Sequence, residues 1–434
     1  MKRRDFPNIQ EQVWEGKLPN GLTIQVVPKP GFTRKSAYLI TDFGSIDMDF
    51  ETEAGVFHTP AGVAHYLEHK MFDMPDGRDI MAEFAALGAN TNAFTDYTMT
   101  AYLFSCTERF EECLGLLLDF VFTPWFTEES VEKERGIIAQ EIRMYDDAAD
   151  SRVYEALAAA IHPDHPARIP IAGSVESIGQ ITRQTLMDCY RAFYTPANMV
   201  LCVVGDVDPA TVEAIAREKT PSRSHALPRR LYDSSRELRG VKPLVVQEMD
   251  VSMPMFQLGF KCESAGKGPD SYRRETVGDL AAEILFGESS ELYLRLYDEG
   301  LIDSSLGGGY EDNKGAAMLT CGGDSEDPCR VMEEVLAQAE KIVRQGIDDT
   351  ELRRLIRSAM GRRVRGLDSF DGYCYRLGSY YLDGADYLDF QTLYPSITAE
   401  EIRQFIRVNI TKERACLSVV RPRSQEETEH GICE

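Results

Sequence analysis

Three apolar strings in the first half of the chain have counterparts in the second, all displaced by nearly the same distance, about half the chain. "SAYLITDF" (36–43) is echoed by "PMFQLGF" (254–260), "AYLFSC" (101–106) by "AAMLTC" (316–321), and "NMVLCVVGD" (198–206) by "RACLSVVRP" (414–422). Independent coincidences would not share one offset, so the chain reads as a duplicated unit. The strings have the composition of buried strands. Between them lie helical patterns at 62–72, 111–122 and 128–145, the last capped by Thr127 with Glu128 and Glu129 in its first turn. A length of 434 residues exceeds one ordinary core. The expectation is an α+β protein of two homologous α/β-sandwich domains. The polar, Pro/Ser/Arg-containing stretch 220–243 supplies the join, giving an N-terminal domain 1–225, a linker 226–243 and a C-terminal domain 244–434.

The duplication also acts as an internal control. The first half contains "GVAHYLEHKMF" (62–72), and the second has "VGDLAAEILFG" (277–287) in its place. The helix is kept, but the polar group His65, Glu68 and His69 is gone. The whole chain has only seven histidines. On a helix, positions i, i+3 and i+4 share a face within roughly 100° of arc. Two imidazoles one turn apart can hold one ion, and zinc suits nitrogen donors with a carboxylate. Glu68, next to His69, is placed to hold a water and take its proton. Ordinary surface histidines are the competing explanation. The neighbours Val63, Ala64, Tyr66, Leu67, Met71 and Phe72 argue against it, because polar groups buried among them without partners are costly.

A third ligand is needed, and "ERGIIAQE" (134–141) offers Glu134 and Glu141 on the face of Ile138 and Tyr145. Seven residues rise about 10 Å along a helix, so both cannot hold one ion; one can be a ligand and the other support it. Spacing alone does not choose between them, and a solvated glutamate pair is the plain alternative.

Composition closes off other classes. The net charge of −24 opposes nucleic-acid binding. No run of 18 apolar residues suggests a membrane span, and the basic N-terminus lacks the apolar stretch of a secretory signal. Ten cysteines without a C-x-x-C pair argue against a thiolate zinc module and a disulfide framework. Buried, reduced thiols in a cytoplasmic protein are expected, Cys106 and Cys113 among them. "HPDHP" places His162 and His165 between prolines, which implies a turn and a structural role. "LGGGY" (306–310) lacks the Lys-Ser/Thr of a phosphate loop and reads as a flexible loop. "RRVRG" (362–366) reads as a solvated or interface helix face, and the acidic tail 424–434, with His430 and Cys433, as a disordered, solvated segment.

H-x-x-E-H is the inverted zinc-peptidase signature. With that motif, "ERGIIAQE" some seventy residues on, and a duplicated α+β unit, the sequence resembles the pitrilysin (M16) metallopeptidases over essentially its whole length. Its length matches the M16B branch, and "GANTNAFTDYT", "EKERGIIAQEIRMYDD" and "IAGSVESI" resemble a bacterial, YmfH-type subgroup. The resemblance implies a zinc-dependent endopeptidase, with His65, His69 and Glu141 as zinc ligands, Glu68 as general base and Glu134 supporting a ligand. It implies that Asn92, Ala93 and Phe94 lie on an edge strand holding substrate by strand addition. It implies half of a clamshell that closes around peptides or unfolded segments. One departure stands out. Family members carry an L-R-E-x-x-G-L-x-Y string whose arginine and tyrosine bind substrate; here "LYDEGLIDSS" (296–305) puts Tyr297 and Asp303 near those positions. The expectation is therefore a catalytic subunit that associates with a sibling chain bearing the Arg/Tyr pair, or with itself. The rival readings are a non-catalytic assembly subunit and a zinc hydrolase of non-peptide substrates.

Overall fold

The computed structural model describes residues 1–75, 77–232 and 241–423. The acidic tail with His430 and Cys433, and the middle of the linker stretch, lie outside the described residues. The described chain forms two units.

The first unit is built on a seven-stranded sheet. Its strands are β1 (Lys2–Phe6), β2 (Glu11–Lys17), β3 (Thr23–Pro28), β4 (Lys35–Thr41), β7 (Asn90–Thr95), β8 (Thr100–Cys106) and β9 (Met199–Gly205), in the order β1-β2-β3-β9-β4-β8-β7. A small sheet of β10 (Arg229–Arg230), β5 (Asp49–Thr52) and β6 (Gly55–His58) accompanies it. There Arg230 is bound to Asp47 and Asp42, which fastens the start of the linker to this unit.

The second unit has a five-stranded sheet of β11 (Leu244–Met249), β12 (Met255–Lys261), β13 (Gly307–Asn313), β14 (Ala316–Asp324) and β15 (Ala415–Pro422), in the order β11-β15-β12-β14-β13. Strand for strand this repeats β3-β9-β4-β8-β7. In each five-strand set the first pair, β3–β9 or β11–β15, is parallel and the rest are antiparallel. The three echoes fall on the central strands β4/β12, β8/β14 and β9/β15. Every residue of β9 is buried, as expected of a strand covered on both faces.

The covering layers hold the main departure from the sequence reading. The units are not contiguous segments. The first comprises Met1–Ile142, Pro170–Tyr232 and Gly361–Gln391; the second takes 143–169 together with described residues of 241–360 and 392–423. Helix Phe370–Leu382, from the second half, lies on β9 and β4, and helix Ala149–Ile161, from the first half, lies on β12 and β15. A glycine marks each contact. A Cβ at Gly378 would collide with Ile40, and one at Gly259 with Ile161 and Leu157.

Two local expectations change. "LGGGY" belongs to edge strand β13, with Gly307 opposite Gly322 and Gly308 opposite Cys321. Strands β13 and β14 come so close that a Cβ at Gly308 would meet the Thr320 carbonyl, so Gly308 serves close approach. Tyr145 is exposed, so the inward stripe of its helix ends before it. "RRVRG" lies on a helix with Arg362, Val364 and Arg365 exposed, as expected, while Arg363 lies over the Tyr387 ring and donates to the Tyr380 hydroxyl. "HPDHP" forms the expected turn: His162 and His165 are buried, and His165 Nδ1 accepts the Ala167 amide. Eight cysteines are unpaired and buried, and among the described residues no helix is long and apolar enough to cross a membrane.

Where the exchanged helix meets the first sheet there is no spare volume. Gly378→Leu should lower stability by about 1–3 kcal/mol through overpacking. A urea titration should show an earlier midpoint, partly recovered when Ile40→Ala is added.

Candidate metal centre

The histidine helix, Val63–Lys70, begins at a forced turn. Gly62 sits at φ 88°, and a Cβ there would collide with the Ala172 carbonyl. Gly173, at φ 73°, makes the reciprocal approach to Ala61, and the Ser177 hydroxyl donates to the Ala61 carbonyl at 2.9 Å. The segment "IAGSVESI" thus wedges the helix start. At the other end Lys70, 1% exposed, reaches Asp73 and donates to the Ser130 carbonyl at 3.2 Å. The Tyr66 hydroxyl donates to the carbonyl of Val131. Both carbonyls belong to the first turn of the glutamate helix Glu128–Asp146, which Thr127 caps by accepting the Ser130 amide. Tyr66, Lys70 and Ser177 were not singled out in the sequence, where they carry no spacing signal.

This clamping brings three predicted residues together. Donor atoms of His65, His69 and Glu141 all lie within 4.8 Å of one another. Glu141 Oε1 is 3.6 Å from His65 Nε2, and Oε2 is 3.4 Å from His69 Nε2. The edge of a tetrahedron with zinc–ligand bonds of 2.0–2.1 Å is about 3.3 Å, so the donor set has the size and chemistry for zinc. Glu134 lies on the other side of the His69 ring, its Oε1 3.0 Å from Nδ1. The two glutamates that spacing could not separate therefore address opposite nitrogens of one imidazole. His65 lacks such support: its Nδ1 is buried without a hydrogen-bond partner.

Glu68 is buried beside this group, and its Oε2 accepts the Thr95 hydroxyl at 2.7 Å. Thr95 ends β7, an edge of the first sheet. Asn92, Ala93 and Phe94 lie on the same strand. The Asn92 side chain accepts the Ala93 amide at 2.9 Å, and Phe94 packs at 5.9 Å from Tyr375 of the exchanged helix. The predicted edge-strand residues thus lie on the strand whose last residue meets Glu68, and the other side of β7 is paired with β8.

Electrostatics follow from burial and close charges. Burial raises the Glu68 carboxyl above its ordinary value, opposed by the Thr95 hydrogen bond and the two imidazoles. Burial would lower His69, but hydrogen bonds to Glu134 and Glu141 outweigh it and hold the imidazole up to about 9. The same hydrogen bond to His69 lowers Glu134.

The family described as Insulinase (Peptidase family M16) matches residues 57–175, and the Peptidase M16 inactive domain matches 180–359. The chain is 36% identical to the zinc protease YmfH of Bacillus subtilis, over 98% of this chain and 100% of that protein. An M16-like peptidase from Alicyclobacillus acidocaldarius superposes with a TM-score of 0.91 at 32% identity, covering 97% of this chain and 100% of that one. Pitrilysin shares the fold at a TM-score of 0.73 and 16% identity; 99% of this chain matches 47% of pitrilysin.

A metal-free His69 that titrates near 9 binds its proton more tightly than an unfolded one, whose pKa is about 6.5. Its contribution to stability is therefore full below about 6.5 and lost as pH rises through 9. The same proton must leave before a metal binds. Apparent zinc affinity, measured by competition with a chelator, should rise about tenfold per pH unit between pH 7 and 8.5. Glu134→Gln should flatten that slope by lowering the His69 pKa.

Proposed function

The chain belongs to the M16 (insulinase) peptidase family, and we propose that it is a zinc-dependent endopeptidase subunit that cuts peptides or unfolded segments. The observation that carries this reading is the convergence of His65, His69 and Glu141 within 4.8 Å, beside a Glu68 hydrogen-bonded to an edge strand. Zinc held by these three would supply Lewis acidity, polarising the scissile carbonyl and making water acidic near neutral pH. The chain's own residues do the rest. Glu134 fixes the His69 ring and its tautomer from Nδ1. The open edge of β7 takes the substrate backbone as an added strand, at Asn92, Ala93 and Phe94. Glu68 accepts the proton of the attacking water and returns it to the departing amine. Its raised pKa suits a group that must both take and give a proton.

The halves 1–225 and 244–434, joined by 226–243, are proposed to have diverged in role, with the second a scaffold. In that half Tyr297 is exposed and stacked on Tyr293 at 6.0 Å, and Asp303 accepts the Ser305 amide at 2.7 Å. Arg295, in the same stretch, is paired with Glu334 at 2.6 Å. None of these supplies the expected arginine–tyrosine pair. We therefore propose a cytoplasmic complex in which a sibling subunit bears that pair, the two together forming a closed chamber. The same stretch favours one alternative, a non-catalytic assembly subunit of this family.

Glu68→Gln should keep zinc at parental stoichiometry and lose cleavage of a quenched-fluorescent peptide by about 10²–10⁴-fold. Glu141→Gln should weaken zinc binding itself; unchanged affinity would remove Glu141 from the ligand set. The chain alone should turn over well below the ordinary range of about 1–10³ per second. Adding a sibling chain with an intact Arg/Tyr string should restore cleavage. A complex that holds no zinc and cleaves nothing would favour the assembly role.

A further inference from the structure

Thr95 occupies a place that neither the metal-ligand set nor the substrate strand explains. It is the last residue of β7 and pairs with Thr100, the first of β8. The Thr100 hydroxyl is fully buried and donates to the Phe43 carbonyl at 2.9 Å. The turn between them is pinned from below. Ser45 and Ile46 donate amides to the carbonyls of Asp96 and Tyr97 at 3.0 and 3.1 Å. Gly44 lies so close to Tyr97 that a Cβ there would strike its carbonyl. The end of the hairpin is thus fixed by segment 43–46, independently of the histidine helix.

From that fixed point the Thr95 hydroxyl donates to Glu68 Oε2 at 2.7 Å. Its other hydroxyl neighbour, Thr100 Oγ1, is 3.4 Å away and already committed as a donor to Phe43. Thr100 can therefore only accept from Thr95, and of the two acceptors the Thr95 proton goes to the nearer, charged one, the Glu68 carboxylate. Threonine is β-branched and stiff at χ1, so it makes a firmer strut than serine. One oxygen of Glu68 is held, and the other is left to exchange a proton.

We infer that Thr95 is a positioning residue for Glu68: it fixes the carboxylate's orientation and ties it to the strand on which substrate is proposed to lie. The inference rests on the reading of Glu68 as general base, and it adds a mechanical link. A peptide that pairs with the open side of β7 stiffens the strand whose last residue holds the base. Substrate registry and base orientation then share one backbone.

The test uses the full chain loaded with zinc. Crystal structures of Thr95→Val and Thr95→Ser are compared with the parent, and cleavage is read on a quenched-fluorescent peptide of random central sequence. In Thr95→Val the Glu68 carboxylate should leave its single orientation or populate several. kcat should fall about 10–100-fold, the scale of a misplacement of about 1 Å, with little change in KM or zinc content. Thr95→Ser should hold Glu68 in place and recover most of kcat. In a Glu68→Gln background, Thr95→Val should cost nothing more. The inference is overturned if Glu68 keeps one orientation in Thr95→Val, or if kcat stays at the parental value while Glu68→Gln abolishes cleavage. Retained cleavage in Glu68→Gln would instead remove the base assignment, and the crystal structures would still decide what Thr95 does. If the chain cleaves too slowly alone, the Glu68 orientation is the deciding readout. Should Thr95→Val not fold, Thr95→Ala is read in the same way.

Discussion

The spacing between two helices governs the rest of this structure. His65, Glu68 and His69 ride on a helix of only eight residues, and Glu134 and Glu141 on one of nineteen. Nothing in the secondary structure of either sets the distance between them. Two side chains do: Tyr66 and Lys70 each reach a carbonyl in the first turn of the glutamate helix, from Val131 and Ser130. A buried ammonium is expensive unless it is paired and hydrogen-bonded, and Lys70 is both, through Asp73 and Ser130. A lysine inside an apolar helix face is hard to explain by local preference. It makes sense as a strut whose removal would leave a buried carbonyl and a carboxylate unanswered.

The second unit shows what the same sheet does without that chemistry. Its strand order repeats the first, and helix Pro269–Phe286 occupies the place of the histidine helix. The positions matching His65 and His69 are Leu280 and Ile284, both buried. Glu283 stands in the place of Glu68, so the second half has lost the two histidines and not, as the sequence reading has it, the whole triplet. With the donors replaced by aliphatic side chains, the helix packs as core. The comparison separates fold from site: the sheet order needs only apolar central strands, whereas the site needs a handful of polar groups set on them.

What could be read from the sequence follows the same division. Central strands were legible because a strand buried on both faces is a continuous apolar run, and duplication printed that run twice. The histidine motif was legible because one turn of helix converts spacing into geometry. Glu134 and Glu141 could not be separated, since which nitrogen of His69 each meets depends on how two helices dock. The exchanged helices 149–161 and 370–382 were illegible for a related reason. Each has an ordinary amphipathic pattern, and nothing local states which sheet its apolar face will cover. The glycine run 307–309 misled because glycine marks both loose turns and close approach, and only the neighbouring strand shows that Gly308 is a case of the second. Thr95 lies inside the string "GANTNAFTDYT" that carries the family resemblance, but it had no signal of its own there.

The charge balance of the centre explains how such a site could exist before it holds a metal. Glu68, Glu134 and Glu141 crowd two imidazoles in a largely buried space, an arrangement that would repel itself if every carboxylate were ionised and both rings neutral. The raised pKa of His69 resolves this: a proton on the ring, held between Glu134 and Glu141, supplies the missing positive charge. Glu134 and Glu141 then keep their positions by bonding to an imidazolium instead of spreading into solvent. A divalent cation that displaced this proton would meet a donor set already near its final size, so little reorganisation would oppose binding. The cost appears elsewhere, as competition between metal and proton for the same nitrogen. A histidine buried without carboxylates would have shown the reverse, a depressed pKa and no competition. His162, buried in the second unit and lowered to about 3 by burial, with Lys261 and His165 adding to it, is the example within this chain. The two histidine pairs thus differ in the acids placed around them, and only the first pair is surrounded by groups that a cation would satisfy.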